Sequence, residues 1–218
     1  QRQNAGELVR LFSHNYRGDR TLRSNMSIDV PDDDNCALFI TGLPSMITTR
    51  VLLAHIRNTG RIWQAHINPP DGRWHAFAAA KVTFFARAAA EAFYRASQED
   101  GFIVRGVRAK VQFNRHKVAS QPVGSVYKTR VLIIKGNPAL VNLGNLTNIM
   151  AGEIKFWDLD DHFVRPIGNP ERGEGMVELT LQFGSFRAQA ESANIVLNRR
   201  LGALGVTFCF GIDPCGAI

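Results

Sequence analysis

Apolar and polar positions alternate with a period of two in several short runs, and turn residues close each run. The clearest is Asn35-Cys-Ala-Leu-Phe-Ile-Thr-Gly-Leu-Pro44. Alternation over Ala37 to Thr41 predicts a strand with Leu38 and Ile40 on one face and Ala37, Phe39 and Thr41 on the other. Aliphatics behind and an aromatic in front suit a sheet that packs on helices with one face and meets a ligand with the other. A buried edge strand would read the same way. The pattern recurs 94 residues later as Thr129-Arg-Val-Leu-Ile-Ile-Lys-Gly-Asn-Pro138. Leu38, Ile40, Gly42 and Pro44 match Leu132, Ile134, Gly136 and Pro138, so the chain reads as two copies of one unit.

The rest of each copy follows in the same order. In the first, Thr48 or Thr49 can cap a helix from about Arg50 to Asn58, ended by Gly60. A strand with Trp63, Ala65 and Ile67 on one face stops at Asn68-Pro-Pro-Asp-Gly72. Ala76 to Phe84 reads as a strand and Ala86 to Ala96 as an Ala-rich helix. A short connector, Phe102 to Val104, leads to a last strand, Val107 to Phe113. In the second copy a helix is predicted over Ala139 to Met150 and a strand over Ile154 to Leu159. Prolines and glycines make a loop of Asp160 to Gly175. Met176 to Phe183 follows as a strand, Ser185 as the cap of a helix reaching Leu197, and Val206 to Ile212 as the final strand.

The pattern predicts an α+β fold: two tandem βαββαβ ferredoxin-like domains, each a four-stranded antiparallel sheet with two helices on one face. The boundaries are residues 35–118 and 127–213. Ala119 to Val126 is the linker, and residues 1–34, with at most a helical turn at Ala5 to Phe12, are a largely disordered lead-in.

Charge separates the copies. The 218 residues carry a net charge of +7, but residues 35–118 hold twelve Lys and Arg against four acids, whereas residues 119–218 hold nine of each. A basic unit beside a neutral one points to a polyanion on the first copy and another task for the second. No apolar run has the length of a membrane span. Residues 1–23 lack the apolar block of a secretory signal. Cys36, Cys209 and Cys215 form no Cys-x-x-Cys pair and read as thiols of a reducing, nuclear or cytoplasmic setting. Phosphate-binding glycine loops and nucleophile motifs are missing. Asp158, Asp160 and Asp161 read as a solvated turn. We therefore expect no enzyme, no metal and no cofactor.

The wording NCALFITGLP, HINPP and AAAKVTFF resembles the RNA recognition motif family, and in detail such proteins of filamentous fungi. In that family aromatics of the first and third strands stack bases on the open sheet face. The resemblance puts the first-strand stacking position at Phe39. The two third-strand positions hold Ala79 and Lys81, so one aromatic of three remains. Stacking contributes roughly 1–3 kcal/mol per base, and charge must then supply much of the affinity.

By alternation the open face of the first copy carries Phe39, Thr41, Gln64, His66, Asn68, Lys81, Arg108, Lys110 and Gln112, with Arg115, His116 and Lys117 beyond the last strand. These are the expected contacts to single-stranded RNA: cations for phosphates, amides and His for base edges and 2′-hydroxyls. The second copy holds Ile133 at the stacking position and Glu178 and Thr180 in its third strand. Ile133, Phe156 and Glu178 make a face better suited to a protein, or to the first copy, than to RNA. Two function classes follow: an RNA-binding protein with this division of labour, or a protein-interaction scaffold whose folds do not bind RNA.

Overall fold

The computed structural model describes residues 30–72, 75–168 and 175–216. The lead-in expected over residues 1–34 lies outside the described residues up to position 29, and Asp32–Asp34 form one 3-10 turn.

The first half runs β1 (Ala37–Leu43), α1 (Thr49–Ala54), β2 (Ile62–Asn68), β3 (Ala78–Phe84), α2 (Arg87–Glu99), β4 (Phe102–Val104) and β5 (Val107–Phe113). The second runs β6 (Val131–Gly136), α3 (Leu143–Glu153), β7 (Leu159–Ile167), β8 (Met176–Phe183), α4 (Glu191–Leu201) and β9 (Thr207–Phe210). The sheets are ordered β2-β3-β1-β5-β4 and β7-β8-β6-β9, with antiparallel pairs throughout. The fold is α+β, two tandem βαββαβ units of the ferredoxin-like kind. β4, expected as a mere connector, pairs with β5 and adds a fifth strand to the first sheet.

Alternation sends one face of each sheet to its helices. Leu38, Ile40, Val82 and Val111 pack with Leu52 and Leu53 of α1 and Ala90 and Phe93 of α2. Leu132, Ile134, Leu179 and Leu181 pack with Leu146 and Met150 of α3 and Ala193 and Leu197 of α4. Side-chain caps start α1 and α3: Thr48 Oγ1 accepts from Val51 N at 3.3 Å, and Asn142 Oδ1 from Asn145 N at 2.9 Å.

Three sequence expectations need correction. β7 lies where the prolines and glycines predicted a loop, and the strand expected over Ile154 to Leu159 is mostly loop. Pro166 is tolerated because β7 is an edge strand, which needs hydrogen bonds on one side only. Phe156, assigned to the open sheet face, therefore sits in the loop before β7, 73% exposed. Trp63 does not share a face with Ala65 and Ile67. A bulge between Ile62 and Gln64 takes it out of the alternation. Ser185 does not cap a helix; no side-chain cap bond forms there.

The last two departures dock the halves. The Trp63 side chain turns from the core of its own half and packs against Phe85 and Phe186, each with ring centroids 5.2 Å away, at the core of the second half. The Ser185 hydroxyl accepts from Ala65 N at 2.9 Å and donates to Ala65 O at 3.1 Å, closing the β2 edge. Gly184 lies so close to α1 that an added Cβ would come within 2.8 Å of Thr49 Cγ2. Arg61 stacks on Phe85 and donates to the carbonyls of Ser125 and Lys128, holding the link between the copies.

The segment after β9 returns to the first half. Asp213 accepts from Ile62 N at 2.8 Å and from Arg130 Nε at 2.9 Å. Arg130, 1% exposed, also donates to Asp160 and to Phe183 O, each at 2.8 Å. Burial opposes the Arg130 charge, but Asp213, Cys215 and Asp160 outweigh it and hold its pKa above the ordinary value. Cys215 O accepts from Thr59 N and Gly60 N, and its side chain joins the first core. Burial pushes that thiol up to about 12.

Candidate functional site

The register of the first sheet brings the expected residues into rows across its open face. Gln112, Phe39, Lys81 and His66 stand side by side on β5, β1, β3 and β2. Lys110 is opposite Thr41, Asn68 opposite Ala79, and Gln64 opposite Thr83. Phe39, Thr41, Gln64 and Lys81 are half-buried, whereas His66, Asn68, Lys110 and Gln112 are exposed. One end of the face is closed. Ala37 and Thr83 are fully buried, and the chain after β5 returns along β1, with Asn114 N donating to Ala37 O and Cys36 N to Val118 O.

The cations are not equivalent. Arg108 is exposed and turns to the β4 side, where its guanidinium would collide with a Cβ on Gly101. Arg115 is exposed, and Lys117 is held by Asp32 at 2.9 Å. Lys81 sits at the centre of the face beside the aromatic. Burial lowers its pKa to about 8, with a further push from the positive charge of Arg187, and no carboxylate offsets either effect. Arg187 comes from the second half: it follows Phe186, which packs on Trp63. The site is therefore built by both halves.

The open face of the second sheet has another character. Ile133, half-buried, is opposite Thr180 and Cys209, and Phe163 of β7 is opposite Thr180 on the other side. Glu178 does not stand as a bare acid. Lys135 lies 3.0 Å and Arg165 2.7 Å from its carboxylate, and the Lys135 hydrogen bond outweighs burial to lower its pKa. Two cations over one acid leave this patch weakly positive. Beside this face, a cleft of about 330 Å³ separates α1 from the second half, lined by Arg50, Arg57, Asp160 and Phe163.

No family model matches the chain, and no curated protein sequence matches it. Solved structures do. RNA recognition domains 1 and 2 of Sex-lethal from Drosophila melanogaster are 20% identical, covering 81% of this chain and 100% of that one, with a TM-score of 0.29. The first two RRM domains of the yeast poly(U) binding protein Pub1 are 14% identical over 81% of this chain and 99% of that one, with a TM-score of 0.32. The N-terminal three RNA binding domains of the yeast splicing factor Prp24 are 11% identical over 81% and 64%, with a TM-score of 0.32. At such scores none of these likenesses says what this chain binds.

Arg187 and Phe163 escape sequence reasoning for different reasons. Arg187 comes two residues after Ser185 and reads as the first turn of an exposed helix. Phe163 lies in a stretch whose prolines and glycines mask the strand. Among the described residues no cluster of His, Cys, Asp and Glu is placed to hold a metal ion, and no helix is long and apolar enough to cross a membrane.

Proposed function

We propose that the chain binds single-stranded RNA through the open face of the first sheet. In this reading residues 35–118 supply the RNA contacts, and residues 127–213 serve mainly to contact and brace the first half. One observation carries it: the row Gln112–Phe39–Lys81–His66, in which an aromatic platform is flanked by a cation and by hydrogen-bonding side chains. Phe39 would stack one base, Lys81 and Lys110 would hold phosphates, and Gln112, His66, Asn68 and Gln64 would reach base edges or 2′-hydroxyls. Thr41, Arg108 and Arg115 would extend the contact, while Lys117 would first have to leave Asp32. On the second sheet Ile133 offers no platform, and Lys135 and Arg165 are both engaged by Glu178.

Fluorescence anisotropy with a pool of short single-stranded RNAs at two salt concentrations tests this. Affinity should fall with salt at a slope of about −0.7 per neutralised phosphate. Phe39→Ala should weaken binding by roughly 1–3 kcal/mol without unfolding the chain. No binding at low salt would leave the protein-interaction scaffold as the better account.

A further inference from the structure

Resting on the RNA reading above, we propose that Lys81 of the first half and Arg187 of the second form one site for a single internucleotide phosphate. The RNA face is then complete only when the halves are docked.

The geometry starts at the β2 edge. Ser185 is bonded to both backbone groups of Ala65, and Phe186 packs on Trp63, so this stretch lies along β2. The next residues leave helical geometry. Arg187 has φ −58° and ψ 130°, and Ala188 has φ 60° and ψ −2°. A left-handed conformation is uncommon for a residue with a Cβ and persists where the surroundings impose it. The kink breaks the helix at the point where Arg187 lies near Lys81, whose cross-strand neighbours are Phe39 and His66.

Two cations at a partly dry site repel one another, and a half-buried ammonium with no acid beside it is costly. Among the described residues no carboxylate pairs with Lys81. An anion between Lys81 and Arg187 relieves both costs. The platform beside it identifies the anion's source. Adjacent strands lie about 4.8 Å apart, comparable to the separation of a base from its own phosphate. A base on Phe39 therefore delivers its phosphate to Lys81. An acidic peptide would have no use for the aromatic or for Gln112 in the same row.

The test uses the full chain, a labelled short single-stranded RNA of mixed sequence, and anisotropy across a salt series. Lys81→Ala and Arg187→Ala should each weaken binding about tenfold, as loss of a charge-assisted hydrogen bond does. The double variant should be little worse than either single one. Its salt slope should fall by about 0.7, the amount for one shared phosphate. Arg187→Gln, which keeps the side chain's length, repeats the measurement, and unchanged thermal melting shows that docking survives. Arg187 variants that bind like the unaltered chain, or losses at Lys81 and Arg187 that multiply as for separate phosphates, overturn the shared site. Loss of affinity in Phe39→Ala and Lys81→Ala would still support the RNA reading in that case. If the unaltered chain binds no RNA at low salt, both fall.

Discussion

Lys81 is subject to opposed demands. Its charge is wanted by an anion, yet burial and the nearby Arg187 disfavour that charge in the free protein and bring its pKa from 10.5 to about 8. Below pH 8 the amine is charged in both folded and unfolded chains, and folding bears the whole penalty. Between pH 8 and 10.5 the folded chain has released a proton that the unfolded chain retains, so the penalty is relieved as pH rises. Lys81→Met should therefore raise stability at pH 7 by on the order of 2 kcal/mol, with the gain shrinking toward pH 10. Thermal melts at both pH values check this, and a variant that melts lower at pH 7 contradicts it. Binding has the opposite dependence. Phosphate favours the protonated amine, so RNA affinity should decline above pH 8 in the parent chain. Among the described residues, His66 across the strand pair and Arg187 are the titratable or charged groups beside this amine. In the proposed role, one residue thus exchanges stability for binding, as functional sites often do.

At the scale of elements, the strands with a buried face were legible in sequence; of the edges β2 and β9 were read, β4 was taken for a connector and β7 for a loop. Period-two alternation sets which side chains of β1, β3, β5, β6 and β8 meet the helices, because a one-residue slip would expose Leu38 or Leu132. Edge strands escape that constraint. β7 hides behind Pro166, and the bulge at Trp63 looks in sequence like one more apolar position. Ser185 misleads for a related reason: a hydroxyl before a helical pattern is ordinarily a cap, and only the neighbouring edge of β2 makes it a bridge. Trp63→Ala should cost about 3 kcal/mol, read from the denaturant midpoint, by emptying the place between Phe85 and Phe186. Ser185→Ala should cost about 1–3 kcal/mol, because it leaves the buried Ala65 N–H unpaired. If both variants unfold at the parent midpoint, the β2 edge is not the seam that joins the halves.

Across the whole molecule, the twofold repeat, the charge division and the sheet order were readable, whereas the docking was not. It depends on residues of ordinary type far apart in sequence. Arg130 and Asp213 read as a strand-flanking cation and a terminal acid until the fold buries both, 2.9 Å apart. The open face of the first sheet was legible through its strands, yet the approach of Arg187 to it was missed because docking alone brings it there. Removing one member of such a pair leaves the other charged and buried. Asp213→Ala should destabilise the chain by about 3–5 kcal/mol. It should also release Ile62 N, and Trp63 emission should shift to longer wavelength as the halves loosen. An unchanged melting temperature would show that the Arg130–Asp213 contact does not hold the seam.

The tail contact also has a consequence in time. Ile62 and Asp213 are 151 residues apart in the chain. At about 5–20 residues per second, a ribosome takes on the order of ten to thirty seconds to travel between them. In the later part of that interval, once β5 is complete at Phe113, the first half has been made, but the segments that cover Trp63 and Phe85 have not. The nascent chain must carry an uncovered aromatic patch and an unclosed β2 edge, the kind of surface on which chains associate wrongly. A weakened tail prolongs that exposure, so its first sign in a cell is a smaller yield of folded chain.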